Sequence, residues 1–251
     1  MIMENKLLVT DLDGTFVKDS RQVASKDKKL FVSLKDKIHL GIATGRSVKE
    51  IDFIEEQIGF KVNAKIGFNG GLIMKEGQKI FERFIETSVL LELLYYIQDN
   101  QLVYDALDGK NRIGTYQSGN QGRIWNVPLI KPEDMIAEIA PLRIYKINVR
   151  PEAGRCTSTL LDLQYKFPEL SICKSGPERI EITPADITKG QAIEYIKQTQ
   201  PLEVIAVGDS ENDISMFELA DTSFCLRHAA SEVREAADYV IDDFYEIAQY
   251  I

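Results

Sequence analysis

The sequence predicts an α/β protein in which a doubly wound, Rossmann-like parallel sheet carries an inserted α+β cap domain. Short apolar runs alternate with amphipathic stretches at both ends of the chain, an order typical of a parallel sheet covered by helices. Between about residues 82 and 185 this alternation gives way to helices and strands in a different order. We therefore expect a core formed by residues 1–81 and 186–251, and a cap domain formed by residues 82–185.

The N-terminal part of the core repeats strand and helix. In chain order we expect a strand at 6–10, a helix at 26–37, a strand at 38–46, a helix from 47 to about 58 and a strand–turn–strand unit at 63–74. Ser47 is a suitable N-cap for the second helix, because Glu50 stands three residues later and completes a capping box.

The same alternation returns near the C-terminus. We expect a helix at 189–198, a strand at 203–209, a helix at about 211–219, a strand at 222–226 and a helix from 230. Within the insertion, the pattern predicts helices at 88–100 and 155–166 and strands at 143–149 and 179–183. Lys146, Arg150 and Arg179 of this insertion could contact a leaving group, or could belong to a solvated sheet face.

Net charge, cysteine pattern and hydropathy argue against several classes of protein. The chain has 251 residues, a formal net charge of -9 and a pI of about 4.9, so its surface should repel nucleic acid and anionic membranes. The three cysteines show neither a disulfide framework nor metal-ligand spacing. We find no signal peptide and no apolar run of about 20 residues. These features predict a cytoplasmic protein with no membrane or nucleic-acid partner.

The stretch LLVTDLDGTF, residues 7–16, ends a buried strand with paired carboxylates. Side chains alternate along a strand, so Asp11 and Asp13 should point into the same crevice. The carboxyl ends of parallel strands are where such sheets bind ligands. Taken alone, the segment is better explained as a polar turn whose aspartates accept backbone hydrogen bonds.

Polar residues also follow other predicted strands or begin helices. Thr44 ends the second strand, Asp209 ends the strand VIAVGD with Asp213 close behind, and Lys189 begins a helix. Each has an ordinary structural explanation, such as a cap or a surface lysine. A doubly wound sheet would nevertheless bring them together, and carboxylates crowded in one crevice require a cation. Oxygen-only ligands favour Mg²⁺, and a cation beside Lys189 and a hydroxyl suits a phosphoryl group.

Four motifs of this chain resemble, in order and kind, those of the haloacid dehalogenase (HAD) superfamily. They are Asp11-Leu12-Asp13-Gly14-Thr15, Thr44-Gly45-Arg46, Lys189, and Gly208-Asp209-Ser210-Glu211-Asn212-Asp213. The Asn69-Gly70-Gly71 turn and the insertion between the second and third motifs resemble the Cof-type branch of sugar-phosphate phosphatases. The motifs cover residues 7–71 and about 180–240, whereas the insertion resembles the family mainly in length and placement.

The resemblance implies a role for each matching residue. Asp11 would be the nucleophile that forms an aspartyl-phosphate, and Asp13 the general acid and then base. The catalytic set is Asp11, Asp13, Thr44 and Lys189; the substrate-binding set is Thr44, Gly45, Arg46, Asn69, Lys189 and Asn212. Mg²⁺ would be held by Asp11, by the backbone carbonyl of Asp13 and by Asp209, with Asp213 in support. The family also implies a small phosphorylated metabolite as substrate.

The chain departs from the family after its last motif, where a Gly-Asn-Ala segment is usual. Arg227 and His228 stand there instead. We expect His228 to be a surface loop histidine, with a substrate contact as the alternative. Arg46 could pair with a carboxylate instead of contacting substrate. Asp13 has to carry a proton when the alkoxide leaves, so we expect its pKa to lie above that of Asp11.

Other functions remain to be weighed against a phosphatase. A phosphomutase or phosphotransferase would use the same intermediate, and a receiver domain gathers similar residues in a much shorter chain. A non-catalytic relative would be expected to lack one of Asp11, Asp13, Lys189 or Asp209, and this chain has them all. The sequence leaves open whether the protein is a monomer or a small homo-oligomer.

Overall fold

The computed structural model describes residues 5–18, 21–117, 127–174 and 178–251. Two compact units are present: the first combines the described residues of 1–81 and 188–251, and the second spans 82–187. Among the described residues, none of the helices combines the length and apolar composition that crossing a bilayer requires.

The first unit is built on a sheet of eight strands in the order β14-β13-β12-β1-β2-β3-β4-β5. All neighbours from β14 to β3 are parallel, and β4 runs antiparallel to β3. The strands are β1 (Lys6–Thr10), β2 (His39–Ala43), β3 (Ala64–Gly67), β4 (Leu72–Lys75), β5 (Gln78–Glu82), β12 (Glu203–Gly208), β13 (Thr222–Leu226) and β14 (Tyr239–Ile241). The prediction of a Rossmann-like parallel core is confirmed.

Apolar residues of this sheet are buried under helices. Leu7 and Val9 of β1 pack with Ile193 of α6 and Phe217 of α7 in one cluster, and side-chain alternation turns Leu8 to the opposite face. Phe16 contacts Phe31 of α1 and Phe244 in an aromatic group. The helices are α1 (Ser25–Leu34), α2 (Val48–Ile58), α6 (Lys189–Thr199), α7 (Ile214–Leu219) and α8 (Ser231–Glu235).

Two predicted helices differ at their ends. The first helix stops at Leu34 instead of residue 37, because the chain turns there and the amides of Lys37 and Ile38 both bond the Leu34 carbonyl. The helix expected at about 211–219 starts as a 3-10 turn, Glu211–Asp213, before α7. The predicted capping box of α2 is present: Ser47 accepts from the Glu50 amide, and Glu50 accepts from the Ser47 amide.

The strand order reverses at β1, which lies between β12 and β2. The chain builds β2 and β3 on one side of β1 and returns after the insertion to build β12, β13 and β14 on the other side. In open α/β sheets, ligands bind outside the carboxyl ends of the strands at such a reversal. The fold therefore places the segments after β1, β2 and β12 at the edge where a ligand site is expected.

The second unit has a six-stranded sheet in the order β10-β11-β9-β6-β7-β8. One face packs against helices in a single apolar cluster that includes Leu94, Ile147 and Leu163. The elements are α3 (Thr87–Asp99), β6 (Val103–Leu107), β7 (Arg112–Gly114), β8 (Leu129–Ile130), α4 (Met135–Ile139), β9 (Lys146–Arg150), α5 (Cys156–Lys166), β10 (Leu170–Lys174) and β11 (Ile180–Pro184).

The other face of this sheet carries a row of polar residues. Asp105, Asn148 and Glu181 are directly opposite one another on β6, β9 and β11, and all are buried. Asp105 pairs with Arg150, and Glu181 lies 3.4 Å from Lys146. Because Lys146 is also buried, this face is an internal network of ion pairs and not the solvated face considered from sequence.

We expect Gly190→Ala to destabilise the protein, because α6 and α7 touch at this position. A Cβ on Gly190 would lie 2.1 Å from the Ser215 carbonyl oxygen, so one backbone would have to move. The cost of the clash should outweigh the gain of about 1 kcal/mol in helix propensity. We expect the free energy of unfolding, measured in urea, to fall by about 1–3 kcal/mol. Gln191, which is exposed, provides the control: Gln191→Ala should change the free energy of unfolding little. Equal losses of this free energy in the two variants would contradict the prediction.

Candidate active site

Residues at the ends of three neighbouring strands form the candidate site. Asp11 follows β1, Thr44 follows β2 and Asp209 follows β12. The Asp11 amide donates to the Val207 carbonyl, so the pairing of β1 with β12 continues as far as the carboxylate. Parallel register therefore brings together residues that lie nearly 200 positions apart in the sequence.

Lys189 is held between two carboxylates at the start of α6. Its Nζ lies 2.5 Å from Asp11 Oδ1 and 2.6 Å from Asp213 Oδ1, and its side chain is fully buried. Burial lowers the pKa of Lys189, but the charges of Asp11 and Asp213 outweigh that effect and hold it above its usual value. The Thr188 hydroxyl caps α6 by accepting from the Gln191 amide, which fixes the helix start that carries Lys189.

Asp213 is oriented by backbone amides. Its Oδ2 accepts from the amides of Asp209 and Ser210 at 2.9 and 3.0 Å, while its Oδ1 accepts from Lys189. These bonds fold the segment after β12 back upon itself as the 3-10 turn that precedes α7. Asp213 therefore fixes Lys189 and the segment that carries Asp209 at the same time.

Asp11 is a buried carboxyl in a field of like charge. Burial raises the pKa of Asp11 well above its usual range; Lys189 opposes this, while the charges of Asp213 and Asp209 add to it. Burial also raises the pKa of Asp209. Lys189 pairs with Asp11 and Asp213 but not with Asp209, so this group of three carboxyls gains from a further cation.

The donor set fits a hard divalent cation. Carboxylate oxygens of Asp11, Asp209 and Asp213 all lie within 4.8 Å of one another. All three are oxygen donors, which Mg²⁺ prefers, and the excess negative charge is compensated when a cation binds. The structure thus brings together three of the four residues expected to hold the metal.

Asp13, the fourth of these residues, directs its carboxylate to Arg46. Arg46 Nε lies 2.6 Å from Asp13 Oδ2, and Nη2 lies 2.8 Å from Oδ1. Arg46 Nη1 donates to Glu50 at 2.9 Å, and Glu50 is fully buried. These contacts favour the alternative reading of Arg46, pairing with a carboxylate, over the expected substrate contact. Both oxygens of Asp13 carry bonds that favour its charged form.

The Asp209 carboxylate is held from two sides. The Thr15 hydroxyl donates to its Oδ1 at 2.7 Å, and His228 Nε2 lies 3.1 Å from its Oδ2. Gly14 lies directly against it: φ is +94°, and a Cβ there would be 2.2 Å from Asp209 Oδ2. Only glycine allows this approach without displacing the carboxylate.

The remaining predicted residues line the neighbouring loops. Thr44 is buried, and its hydroxyl accepts from the Arg46 amide, with Gly45 between them. The Asn69 amide donates to the Thr44 carbonyl, and the Asn69 side-chain oxygen accepts from Asn212 Nδ2 at 3.1 Å. Asn69 and Asn212 thus join the loop after β3 to the loop after β12.

Sequence reasoning missed three supporting residues. The sequence assigns Thr15 no role beyond its place in the first motif, and it assigns Glu50 only a helix cap. The spacing of four between Arg46 and Glu50 is the signal that could have revealed their ion pair. His228 is half-exposed in the loop after β13, as expected for a surface histidine, but it also contacts Asp209.

Comparison with known proteins agrees with this architecture. A family model described as haloacid dehalogenase-like hydrolase matches residues 8–251. A protein of Streptococcus pyogenes serotype M6, named provisionally as a phosphatase, is 27% identical over 256 residues, covering 95% of this chain and 93% of its own.

Two further comparisons extend this agreement. The 5-amino-6-(5-phospho-D-ribitylamino)uracil phosphatase of Bacillus subtilis is 26% identical over 243 residues, covering 94% and 90% of the two chains. The crystal structure of a haloacid dehalogenase-like hydrolase from Bacteroides thetaiotaomicron has a TM-score of 0.88 at 23% identity and covers 98% of each chain.

We expect Asp11→Asn to stabilise the metal-free protein at pH 7, because Asp213 still compensates the charge of Lys189 in the variant. The raised pKa of Asp11 means that the folded state binds its proton more tightly than the unfolded chain. This contribution to stability is present at low pH and is lost as pH rises through the folded pKa. Because asparagine does not titrate, the advantage of the variant should grow with pH and vanish below about pH 4.

Urea unfolding in EDTA across a pH series measures this difference. Asp36 is exposed, and Asp36→Asn is the matched control, which should change stability little at any pH. An advantage of Asp11→Asn that is the same at every pH would show that the titration of the buried Asp11 carboxyl is not its cause.

Proposed function

Because this chain belongs to the haloacid dehalogenase-like hydrolase family and is a phosphatase, we propose that it hydrolyses phosphate monoesters of small metabolites with Mg²⁺ and an aspartyl-phosphate intermediate. The observation that carries this proposal is the buried contact of Lys189 with Asp11 beside Asp209 and Asp213. A carboxylate that must attack an anionic ester needs positive charge around it, and this site combines a lysine with a cluster of metal-binding oxygens.

In the first half of the reaction, an oxygen of Asp11 attacks phosphorus and the bond to the ester oxygen breaks. Lys189 and the Thr44 hydroxyl hold the phosphoryl oxygens, and Asp13 delivers a proton to the departing alkoxide. The ion pair with Arg46 constrains this step. For Asp13 to carry a proton, the guanidinium has to release one of the two oxygens that it binds.

In the second half, water attacks the aspartyl-phosphate and inorganic phosphate leaves. Asp13 accepts the proton of the water, and the Asp11 carboxylate is regenerated. The charged, Arg46-bound form of Asp13 suits this step, because it is the form that accepts a proton. Asp13 therefore acts as acid and then as base, while Arg46 and Glu50 keep it in place.

Asp11, Asp209 and Asp213 are the side chains that would hold Mg²⁺. When bound, the ion supplies positive charge that offsets the repulsion between the Asp11 carboxylate and the phosphoryl group. The raised pKa values of Asp11 and Asp209 support a role for the cation, since a bound cation favours the charged form of both carboxylates.

We propose a small phosphorylated metabolite, such as a sugar phosphate, as the substrate. A relative that matches 94% of this chain is named for a phosphorylated ribitylamino compound, a phosphate ester on a sugar-alcohol chain. The negative surface charge also favours a small ligand bound through local cations over a polyanion.

A trapped intermediate tests the mechanism. Asp13→Asn lacks the base for the second step, so we expect acid-quenched protein to carry one additional phosphoryl group by mass spectrometry after exposure to p-nitrophenyl phosphate. Asp11→Asn should show no added phosphoryl group and should lose turnover by about 10⁴-fold or more.

Asp36→Asn serves again as the exposed control and should behave as the wild-type protein does. Full turnover by Asp11→Asn would contradict the assignment of the nucleophile. Inorganic phosphate as the product identifies a phosphatase, whereas transfer of the group back to a second hydroxyl of the substrate would identify a phosphomutase.

Metal removal tests the role of the carboxylate cluster. We expect EDTA to abolish turnover and excess Mg²⁺ to restore it. Mg²⁺ at about 100 times its dissociation constant should also stabilise the folded protein by about 2.7 kcal/mol. The same Mg²⁺ should not stabilise Asp209→Asn, and metal-independent turnover by the wild-type protein would overturn the metal assignment.

A further inference from the structure

His228 lies beside the candidate metal centre, and the proposed mechanism gives it no role. Its Nε2 is 3.1 Å from Asp209 Oδ2, and its side chain is 54% exposed. A half-exposed imidazole can form hydrogen bonds with water, so the contact with Asp209 is not needed to satisfy a buried polar group. Nε2–H is a good donor to a carboxylate oxygen, so the geometry is that of a hydrogen bond in which His228 donates and Asp209 accepts.

Backbone hydrogen bonds fix the loop that carries His228. The loop follows β13, which is the parallel neighbour of β12, so residues after both strands emerge at the same edge. The Arg227 amide donates to the Ile241 carbonyl, and the Ala229 amide donates to the Leu226 carbonyl at 3.0 Å. Arg234 donates to the Ala229 carbonyl. These bonds fix the main chain of the loop and so place the Cα of His228 where its imidazole reaches Asp209.

His228 completes a set of contacts around Asp209. Thr15 binds Oδ1, Gly14 lies against Oδ2, and His228 approaches Oδ2 from solvent. A carboxylate fixed by hydrogen bonds to both oxygens retains lone pairs for a cation but loses little freedom when the cation binds.

The position of His228 favours support of a ligand over direct ligation. The cluster whose ligand atoms all lie within 4.8 Å of one another comprises Asp11, Asp209 and Asp213, and His228 is outside it. An imidazole nitrogen that donates its proton to Asp209 has no lone pair on that atom for a metal. The contact with Asp209 is thus the interaction that this side chain offers to the site.

We propose that His228 is a positioning residue that orients Asp209 and thereby increases the affinity of the acidic cluster for its divalent cation. This inference rests on the proposed Mg²⁺-dependent function, and it assigns a role to a residue that stands where the related motif usually has an amide. The hydrogen bond does not depend on a change of protonation, because an imidazole with a proton on Nε2 donates whether it is neutral or charged.

The test compares Mg²⁺ binding by the full-length wild-type protein, His228→Ala and His228→Gln, measured by isothermal titration calorimetry without substrate. Loss of a hydrogen bond to a metal ligand weakens metal binding by about 10–100-fold, and we expect His228→Ala to raise the dissociation constant by about tenfold. The glutamine amide can place a donor near the position of Nε2, so His228→Gln should recover most of the affinity.

His39 is the other histidine of the chain and provides the matched control. It lies at the start of β2, where Nδ1 is 3.9 Å from Glu76, so His39→Ala should bind Mg²⁺ as the wild-type protein does. Near-UV circular dichroism of the metal-free variants checks that each is folded.

Two results would overturn the proposal: unchanged Mg²⁺ affinity in His228→Ala, or equal losses of Mg²⁺ affinity in the alanine and glutamine variants. Unchanged Mg²⁺ affinity together with a raised KM for substrate would make His228 a substrate contact. Asp209→Asn separates this failure from failure of the proposed function. If Mg²⁺ binds neither the wild-type protein nor Asp209→Asn, the proposed metal site is wrong. If Mg²⁺ binds the wild-type protein but not Asp209→Asn, the metal site stands, and the His228 variants then test the role of His228 alone.

Discussion

The buried contact of Lys189 with Asp11 and Asp213 is the interaction on which the arrangement of the site depends. A lysine without exposure to water is stable only with its charge compensated, and two carboxylates do this. The contact joins the end of β1, the start of α6 and the turn after β12. Gly190 then brings α6 against α7, so the position of Lys189 is fixed by backbone packing as well as by charge.

Each acidic side chain around this lysine has supports of its own. Backbone amides hold Asp213, Thr15 and His228 contact Asp209, and Arg46 with Glu50 holds Asp13. Burial of these carboxyls, with a smaller contribution from like charges brought close together, opposes folding in their charged form, as the raised pKa values of Asp11 and Asp209 indicate. Such crowding persists because the surrounding structure over-determines the geometry, and the proposed binding of a cation and an anionic ligand rests on it.

Much of the fold could be predicted because local patterns and parallel topology agree. Apolar strands alternating with amphipathic helices predicted the Rossmann-like core, and the Ser47 capping box was readable from residues three positions apart. The network around Asp105 and Glu181 could not be predicted in this way. Charged residues on a strand are typical of a face that is exposed to solvent. In the structure, the strand pairing places these residues opposite one another, and packing buries them.

The sequence by itself determined which chemical groups the site has: Asp11, Asp13, Thr44, Lys189, Asp209 and Asp213 follow strands or begin helices. The tertiary structure alone decided how they are paired. Arg46 turns to Asp13 and Glu50 instead of remaining available to a ligand, and Thr15 and His228 reach Asp209 from distant segments. The reason is physical: a motif specifies residue types along one segment, whereas a hydrogen bond depends on distances set when neighbouring strands and helices pack.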